Sequence, residues 1–516
     1  MYLIASAVAP GFRPVFGGPE HRLEGRCHLI QPPCRPKATL GTMIDLKQLR
    51  ENPARFALGA KAKGIQVDID TLITLDAQKR QFLSQVENLR AEQNREAKEI
   101  GPRIGKLKGQ LKGKHGEEAR VIELEIESLS AKPIQRKAGV QELESKLAEL
   151  DPKINDILLA VPLPPDADVP LGTSADDNVE VSRWNPPGFD TAKSFESQRG
   201  FVPRNHQEIV KNLRLADFER GVKLAGSRSY ILSGDGMALH HAVLRYAVDF
   251  MTYKQGFRPM SVPVLVKEEA MIGTGFFPAG REQAYLVDEK RRTGGPEGYD
   301  LFLTGTGEVG LMGIHMDEIL DESQLPIKYV TVSTCFRREA GAAGRDTAGL
   351  YRIHQFDKVE QVVICKADEA ESRKWHKTMI GYVEQILQSL HIPYRLLQCC
   401  TADLGPKNAD MVDIESWMPG RGEVAAKGGA PTGAYGETHS ASRLYDFQCR
   451  RLNTRYRAGG GGPAKGDITF CHSLNNTVLA SPRFLIPLLE NHQNADGSVN
   501  IPEPLRPYMN GRDRIG

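Results

Sequence analysis

The sequence predicts an α+β protein with an N-terminal antiparallel helical coiled-coil arm, followed by a larger domain built on an antiparallel β-sheet flanked by helices. Two observations predict this order. Apolar residues recur at steps of three and four between residues 72 and 157, which is typical of long paired helices. After a proline-rich linker at residues 160–172, short β-rich runs alternate with helical segments up to the C-terminus.

Length and composition narrow the class of protein. A chain of 516 residues is too long for one ordinary core, so two or more domains are expected. Hydrophobic residues make up 40% and charged residues 26%, as in soluble globular proteins, and no apolar run approaches the roughly 18 residues of a membrane span. The eight cysteines form no Cys-x-x-Cys pair, which favours scattered cytoplasmic thiols over a disulfide scaffold or a zinc site.

Residues 1–42 differ from the rest of the chain. They are rich in Gly and Pro, carry five Arg or Lys residues and two Glu residues, and show no sustained period. The opening lacks the basic region of a secretory signal. A more regular stretch begins at Met43. We therefore expect residues 1–42 to be a disordered extension or a start-site artefact, with a transit peptide as the less favoured alternative.

The helical arm is expected within residues 43–160. The apolar seam consists of Leu72, Leu75, Phe82, Val86, Leu89, Ile100, Ile104, Leu107 and Leu111, then Ile122, Ile126, Leu129, Val140, Leu143, Leu147, Leu150, Ile154 and Ile157. The stretch "KGKHG" at 112–116 separates the two halves and predicts the reversal. Pro133 and Pro152 are expected to kink the second helix or tighten its ends.

The tip of this arm is basic. Residues 101–116 contain no acidic residue, whereas the returning helix begins with the acidic run "EEARVIELEIE". The basic residues are Arg103, Lys106, Lys108, Lys112, Lys114 and His115. A solvated coiled-coil face is the simpler interpretation. Charge of one sign at the end of a rod favours instead a phosphate backbone, and a rod is suited to measuring shape and distance on a large RNA.

The densest cluster of polar residues is "CFRREAGAAGRDTAGLYRIHQFDKVE", at 335–360. Alternation along the first strand would place Arg337 and Glu339 on one face. On the returning strand the residues expected to share a face are Arg352, His354, Phe356 and Lys358. The faces of Gln355, Asp357 and Glu360 are expected to follow from odd or even position along the strand, or from a local turn. Arginine suits phosphate oxygens, an aromatic ring suits a base, and a carboxylate suits an exocyclic amine. The cluster therefore predicts a nucleotide site rather than a salt-bridged surface hairpin.

Several motifs together resemble the class II aminoacyl-tRNA synthetases, and specifically the bacterial type of the seryl-tRNA synthetase family. "FRREAG" followed by "RIHQFDKVE" resembles the second signature motif, "NNTVLASPR" the third, and "QGFRPMSVPVLV" the first, which forms the dimer interface. "TGTGEV" and "YGETHSAS" fit further family elements. The resemblance extends from residue 43 to about residue 510, and it implies a tRNA-binding domain over 43–160 and a class II catalytic domain over 161–516.

The resemblance also implies the roles of individual residues. The implied ATP-binding residues are Arg337, Arg338, Glu339, Phe356, Glu437, Thr438, His439, Ser440 and Arg483. The implied serine-binding residues are Thr306, Gly307, Glu308, Arg337, Glu360 and Thr477. The implied catalytic residues are Arg337, Glu339 and Arg483, acting on the α-phosphate, near the adenine and at the γ-phosphate. Glu437 and Ser440 would hold Mg²⁺, and Pro263 would lie at a homodimer interface.

The implied activity is ATP-dependent ligation of L-serine to tRNA(Ser) through a seryl-adenylate. The basic tip of the arm would contact the tRNA, the enzyme would be cytoplasmic, and serylation of selenocysteine tRNA stays open. Two glycines depart from the family pattern, since Gly305 and Gly307 stand where the family usually has Pro and Ala, and they are expected to loosen the strand. Residues 287–300 and 420–434 are expected to be solvated insertions, with lids as the alternative.

Two other functions remain compatible with the residues. A related enzyme could activate an amino acid but load a carrier protein, although the basic arm argues against it. A non-catalytic RNA-binding protein could have kept the fold. Against that alternative stands the joint presence of Arg337, Glu339, Phe356, Glu360, Glu437 and Arg483. Pyrophosphate exchange separates the non-catalytic RNA-binding protein from the two enzymes. Charging of tRNA separates the seryl-tRNA ligase from the carrier-loading enzyme.

Overall fold

The computed structural model describes residues 43–288, 300–341, 348–424, 430–459 and 466–516, with the backbone alone at 132–135. The expectation for residues 1–42 and the centres of the predicted insertions at 287–300 and 420–434 lie outside these residues. The helices are α1 (Leu46–Glu51), α2 (Pro53–Ala62), α3 (Ile69–Leu111), α4 (Glu117–Ala160), α5 (Phe195–Arg199), α6 (His206–Asn212), α7 (Phe218–Ala225), α8 (Asp235–Asp249), α9 (Glu268–Gly273), α10 (Glu308–Gly313), α11 (Glu369–Ser389), α12 (Phe447–Arg451) and α13 (Leu485–Asn491).

The strands are β1 (Val179–Trp184), β2 (Ala216–Asp217), β3 (Ile231–Leu232), β4 (Arg258–Met260), β5 (Leu265–Lys267), β6 (Tyr285–Val287), β7 (Leu301–Leu303), β8 (Ile319–Asp321), β9 (Ile327–Phe336), β10 (Gln355–Cys365), β11 (Tyr394–Gln398), β12 (Asp410–Met418), β13 (Ala434–Tyr445), β14 (Arg455–Arg457), β15 (Ile468–Phe470), β16 (His472–Ser481), β17 (Val499–Asn500) and β18 (Arg514–Ile515). No helix among the described residues is both long and apolar enough to cross a membrane.

The predicted arm consists of α3 and α4, which contain 43 and 44 residues and pack against each other. The chain reverses between Leu111 and Glu117, as the glycines of "KGKHG" predict. Ion pairs also join the two helices, such as Arg90 to Glu144 at 2.6 Å and Arg103 to Glu125 at 2.5 Å. At 1.5 Å per residue each helix is about 64 Å long.

The expected kink at Pro133 and Pro152 stays a prediction, but neither proline ends the second helix. Helix α4 runs without a break through Pro133 and Pro152, and α3 contains Pro102 in the same way. Each proline removes one backbone hydrogen bond. Packing along the whole length of the partner helix outweighs that local loss, because tertiary contacts supply most of the stability of a helix in a protein.

The body is built on one eight-stranded sheet in the order β1-β11-β12-β13-β16-β10-β9-β4. Every neighbouring pair is antiparallel except β4 and β9, so the predicted antiparallel sheet is confirmed with one parallel pair at its edge. Helices α8 and α11 cover one face, where Val243, Met379 and Val383 pack with Val359 and Val363 of β10 in the largest apolar core. The other face of the central strands carries the polar cluster described next.

Candidate active site

Three neighbouring strands form the floor of the polar cluster. Strand β10 carries Phe356, Lys358 and Glu360 on the face opposite the helices, because side chains alternate along a strand. Strand β16 lies beside it and places Thr477 opposite Glu360, and β13 follows with Glu437 and Thr438. Three signature segments that are far apart in the sequence therefore meet on one surface.

The expectation that Arg337 and Glu339 share a strand face is wrong. Strand β9 ends at Phe336, so both residues lie in the turn beyond it, and Arg352 and His354 likewise precede β10. Glu339 has φ +52°, a left-handed conformation that an extended strand does not contain. The turn, rather than strand parity, brings Arg337 back over the floor, where its guanidinium lies 5.3 Å from the centroid of the Phe356 ring.

Gln283 fixes this turn, and the sequence did not single it out. Its side-chain amide donates to the Ala340 carbonyl at 2.7 Å and accepts from the Ala340 N–H at 3.0 Å. Its backbone carbonyl accepts from the Arg338 N–H at 3.0 Å. Three hydrogen bonds from one residue therefore hold the segment that contains Glu339. A separation of 57 positions gives no local pattern from which this contact could be predicted.

Arginines and carboxylates line a small cavity above the floor. Its walls are Arg337, Glu339, Tyr351, Ile353, Phe356, Lys358, Glu437, Thr438, Thr477, Ala480 and Arg483. Arg483 donates to the Tyr351 carbonyl at 3.0 Å and to the Glu437 carbonyl at 3.2 Å. Six of the predicted ATP-binding residues thus surround one space, in which Arg337 lies over the Phe356 ring and Arg483 over the Tyr351 ring.

A second cavity of about 500 Å³ adjoins the first. Arg337 and Glu339 line both cavities. Gly305, Phe336 and Arg352 line the second cavity but not the first. Its remaining walls are Met271, Phe276, Gly280, Gln283, Ala284, Ala340 and Gly341. A guanidinium and a carboxylate therefore stand where two ligands can approach each other.

Glu360 is the most deeply buried charged residue of the floor, with a fully buried side chain. Lys358 pairs with it at 2.5 Å, and the Asn475 side chain donates to it at 3.1 Å. A buried carboxylate needs such partners because desolvation penalises its charge. Thr477 stands directly opposite on β16. These residues form a buried polar cluster around one fixed negative group, which we call the Glu360 pocket.

The segment of residues 304–308 forms the wall of this pocket. The Thr306 hydroxyl accepts a hydrogen bond from the Glu308 N–H at 3.2 Å. The expectation that Gly305 and Gly307 loosen this strand stays a prediction, although neighbouring side chains already fill the space beside Gly307. A Cβ atom at Gly307 would overlap the Thr331 methyl group and lie 2.9 Å from the Ser333 hydroxyl. The side chains of Thr331 and Ser333 on β9 thus occupy the volume that an alanine methyl group at residue 307 would need.

Seven of the predicted ATP- and serine-binding residues line neither cavity: Thr306, Gly307, Glu308, Arg338, Glu360, His439 and Ser440. The Glu308 carboxylate is engaged by Lys407 and Gln448 and therefore belongs to the supporting wall. Arg338 is exposed. His439 is buried against Phe484, and burial together with the nearby Arg483 lowers its pKa to about 3, so its ring is neutral. Lys407, Gln448 and Tyr351 are further contact residues that the sequence did not indicate.

Oxygen ligands collect beside Glu437. Burial and the charge of Glu437 raise the pKa of Asp413, and the Ser440 hydroxyl bonds to the same carboxylate. One Asp413 oxygen is buried without a hydrogen-bond partner. Hard divalent cations prefer such oxygen ligands. The predicted pair of Glu437 and Ser440 is therefore suited to Mg²⁺.

Comparison with known proteins agrees with this geometry. Residues 43–165 match the family described as "Seryl-tRNA synthetase N-terminal domain", and residues 287–492 match "tRNA synthetase class II core domain (G, H, P, S and T)". The serine–tRNA ligase of Deinococcus radiodurans is 39% identical over 475 residues, which cover 92% of this chain and 99% of the relative. That of Dictyoglomus turgidum is also 39% identical, over 90% of this chain and 98% of the relative.

The chain belongs to the seryl-tRNA synthetase family. Its structure is similar to that of the seryl-tRNA synthetase from Pyrococcus horikoshii complexed with ATP, with a TM-score of 0.74 and 34% identity over 92% of this chain and 99% of the other. The cytoplasmic serine–tRNA ligase from Naegleria fowleri in complex with AMP gives a TM-score of 0.72 at 28% identity, over 92% and 98% of the two chains. The predicted family, fold class and enzyme class are thereby confirmed.

Gly307→Ala is predicted to impair serine activation. The added methyl group must displace Thr331 or Ser333, and it would thereby shift the wall beside Glu360. We expect the KM for serine in pyrophosphate exchange to rise about tenfold, with little change in the KM for ATP.

Gly381→Ala is the matched control, because a Cβ at this α11 position meets no atom within 4 Å. Adding Thr331→Ser to Gly307→Ala should restore part of the serine affinity by removing the clashing methyl group. An unchanged KM for serine in Gly307→Ala would contradict the packing argument.

Proposed function

We propose that the small cavity over Phe356 binds ATP and that the pocket at Glu360 binds L-serine, so that together they form seryl-adenylate. The observation that carries this assignment is that Arg337 lines the cavity over Phe356 and also donates to the Gly305 carbonyl, next to Thr306, at 3.4 Å, while Thr477 of the same cavity lies opposite Glu360. An arginine at such a junction can bind an α-phosphate oxygen on one side and an amino-acid carboxylate on the other. The two reacting groups would then meet beside one positive charge.

The walls of the ATP cavity match the parts of a nucleotide. The Phe356 ring offers a stacking surface for adenine, and the Arg337 guanidinium that now lies over it would move to the α-phosphate. Arg483 already pairs with Glu437 at 3.6 Å, and this pairing holds it at the far end of the cavity, where it would contact the γ-phosphate. Glu339 and Thr438 would fix the orientation of the nucleoside.

The serine pocket is selective through its charge and size. Glu360 would accept the serine ammonium group, and the hydroxyl groups of Thr306 and Thr477 are suited to a small hydroxyl-bearing side chain. We propose that Glu308 acts as a positioning residue for Thr306 rather than as a direct ligand, because its carboxylate is occupied by Lys407 and Gln448.

The reaction follows in two transfers. A serine carboxylate oxygen attacks the α-phosphorus, and the bond to the bridging oxygen breaks to release pyrophosphate. A ribose hydroxyl of the terminal tRNA nucleotide then attacks the seryl carbonyl and releases AMP. Neither transfer needs a covalent enzyme intermediate, so positioning and the charges of Arg337 and Arg483 supply the protein's contribution.

Glu437 and Ser440 would hold Mg²⁺ in this proposal. Burial and the charge of Glu437 raise the pKa of Asp413, so the two carboxyl groups oppose each other's ionisation, and a divalent cation would relieve this repulsion. When bound, the ion would supply charge neutralisation on the phosphates. Arg483 pairs with Glu437 and would keep this carboxylate oriented toward the phosphate end of the cavity.

Arg337→Ala is predicted to abolish adenylate formation while leaving tRNA affinity largely intact. We would measure exchange of labelled pyrophosphate into ATP with serine, and with threonine, alanine and glycine as controls. The unmodified enzyme should exchange with serine alone. Removing the guanidinium should lower the rate by about a hundredfold or more, because it stabilises charge that develops at the α-phosphate. Near-normal exchange in Arg337→Ala would refute the assignment, and exchange with no amino acid would refute the proposed pockets.

We also propose that the arm binds tRNA(Ser) through the basic residues of its tip. Arg103 and Lys114 are tied to Glu125 and Glu118, whereas Lys106, Lys108 and Lys112 are exposed and form no ion pair among the described residues. Counterion release would make their contribution to tRNA binding dependent on salt. The carrier-loading alternative does not account for such a tip or for the match to the N-terminal family domain.

Shortening the arm should separate the two half-reactions. Glu96 and Arg136 face each other at 2.9 Å, so replacing residues 97–135 with a short glycine turn removes the tip without leaving unpaired helix. We expect serine-dependent exchange to be retained and tRNA(Ser) charging to be lost.

A milder variant with Gln at Lys106, Lys108 and Lys112 should raise the KM for tRNA and reduce its salt dependence. The corresponding control is Lys146→Gln near the base of the arm, which is expected to change neither value. Normal charging by the shortened enzyme would show that the arm is not the tRNA contact. The same assay with selenocysteine tRNA decides whether it is also a substrate.

We propose further that two copies pair through the edge of the sheet at β4. A mostly apolar groove lies there, lined by Met260, Ser261, Val262, Pro263, Leu265, Val266, Lys267, Glu269, Ala270, Val309, Gly310, Gly313, Ile314 and Met316. Pro263 is exposed in it, as expected of an interface residue. An exposed apolar groove beside an edge strand is typical of a surface that another chain covers.

Light scattering tests the homodimer. The unmodified protein should have about twice the 57.0 kDa chain mass. Leu265→Asp places a charge in the groove and should shift the equilibrium toward monomer. Leu224→Asp is the control, since Leu224 is 81% exposed but lies outside the groove. A monomeric unmodified protein at micromolar concentration would contradict the proposal.

We propose a cytoplasmic location. All six cysteines among the described residues are buried free thiols, as is usual in a reducing compartment. Cell fractionation with antibodies against the chain tests this, and recovery in a membrane or periplasmic fraction would argue against it.

A further inference from the structure

The support of Glu308 comes from outside its own helix. Lys407 Nζ lies 2.7 and 2.8 Å from the two carboxylate oxygens, and the Gln448 amide donates to one of them at 2.7 Å. Glu308 is only 2% exposed, so these contacts are shielded from water. A buried carboxylate follows its partners closely, because separation from them leaves a charge unpaired. The position of Lys407 therefore sets the position of the wall that contains Thr306.

Lys407 lies in a turn of residues 405–408 that an N-terminal residue holds from the opposite side. Lys63 follows α2, and its Nζ donates to the Gly405 carbonyl at 3.0 Å and to the Asn408 carbonyl at 2.5 Å. These carbonyls lie on both sides of Lys407 in the sequence. Lys63 is 6% exposed, and burial lowers its pKa to about 7. The charge of Asp166 opposes this shift, and the two carbonyl groups supply the hydrogen bonds that a buried ammonium group needs.

Two further hydrogen bonds hold the rest of the turn. The Leu163 N–H donates to the Pro406 carbonyl at 2.9 Å, and the Asn408 side chain donates to the Ser442 hydroxyl at 2.8 Å. Lys63 is the contact that spans both ends of the turn. A continuous series of short polar contacts thus joins the N-terminal segment to the proposed serine pocket: Lys63, the 405–408 turn, Lys407, Glu308 and Thr306.

We propose that Lys63 is a positioning residue for serine, acting through the 405–408 turn and Lys407 on Glu308. The proposal rests on the proposed serine pocket at Thr306 and Glu360. It assigns to the N-terminal domain a role in the first half-reaction, in which tRNA takes no part. A lysine whose only role were to attach that domain would affect stability without changing the affinity for one small substrate.

Lys63→Met tests the proposal in pyrophosphate exchange without tRNA. We expect the KM for serine to rise about tenfold and the KM for ATP to stay within about twofold, because the contacts lead to the serine wall alone. Lys63→Gln keeps one carbonyl contact without the charge and should give an intermediate KM for serine. It also serves if the methionine variant does not fold. A KM for serine that stays at the unmodified value in both variants would overturn the proposal.

Two further variants separate this role from a structural one. Asp45→Asn removes a different contact between the N-terminal segment and the body, the ion pair with Arg450 at 2.7 Å, and keeps a side chain able to cap α1. It should leave the KM for serine unchanged. In the double variant of Lys63→Met and Lys407→Met, the KM should not exceed that of Lys407→Met alone, since both act on Glu308 in series. Multiplying effects would overturn the proposed path.

Glu360→Gln distinguishes failure of the positioning role from failure of the pocket. If Glu360→Gln raises the KM for serine and Lys63→Met does not, the pocket stands and the role of Lys63 is refuted. If neither variant changes it, the proposed serine pocket itself is wrong.

Discussion

The alternation of side chains along β10 is the constraint on which both the core and the site depend. Val359 and Val363 face helices α8 and α11 in the largest apolar core, whereas Phe356, Lys358 and Glu360 lie on the opposite face and form part of the floor of the site. A shift of one residue in register would exchange the two sets and bury Glu360 among valines. The apolar contacts that stabilise the fold therefore also fix the register of the polar surface.

Much of the fold could be predicted from the sequence because its signals are local. The seam of the arm, the reversal at 112–116 and the strands on either side of residues 337–354 follow from periodicity and turn residues. The end of β9 could not be predicted from periodicity. The residues "FRRE" continue the alternation of the strand, although the chain leaves the sheet after Phe336. The hydrogen bonds of Gln283, which favour the turn over a longer strand, connect residues 57 positions apart.

The candidate site shows the same division. The motifs predicted which residue types meet on the floor, and the structure brings six of the nine predicted ATP-binding residues around one cavity. The supporting contacts could not be predicted, since Lys407 and Gln448 lie 99 and 140 positions from Glu308 and belong to no common motif. Gly307 illustrates the reason. Its effect on rigidity depends on Thr331 and Ser333, which are distant in sequence and adjacent in space.

Most carboxylates around the cavities already have a basic partner. Glu360 pairs with Lys358, Glu308 with Lys407, Glu437 with Arg483, and Glu339 with Arg352. Desolvating a lone charge costs more than exchanging one partner for another, because the charge is never left unpaired. A ligand that carries both signs, such as ATP with its phosphates or serine as a zwitterion, can replace one member of a pair at a time. The pairs with little exposure, at Glu360 and Glu308, are expected to stay intact, whereas the partly exposed pair of Glu437 and Arg483 can open to admit phosphates. The same electrostatic arrangement thereby keeps the serine wall fixed and leaves the nucleotide end adjustable.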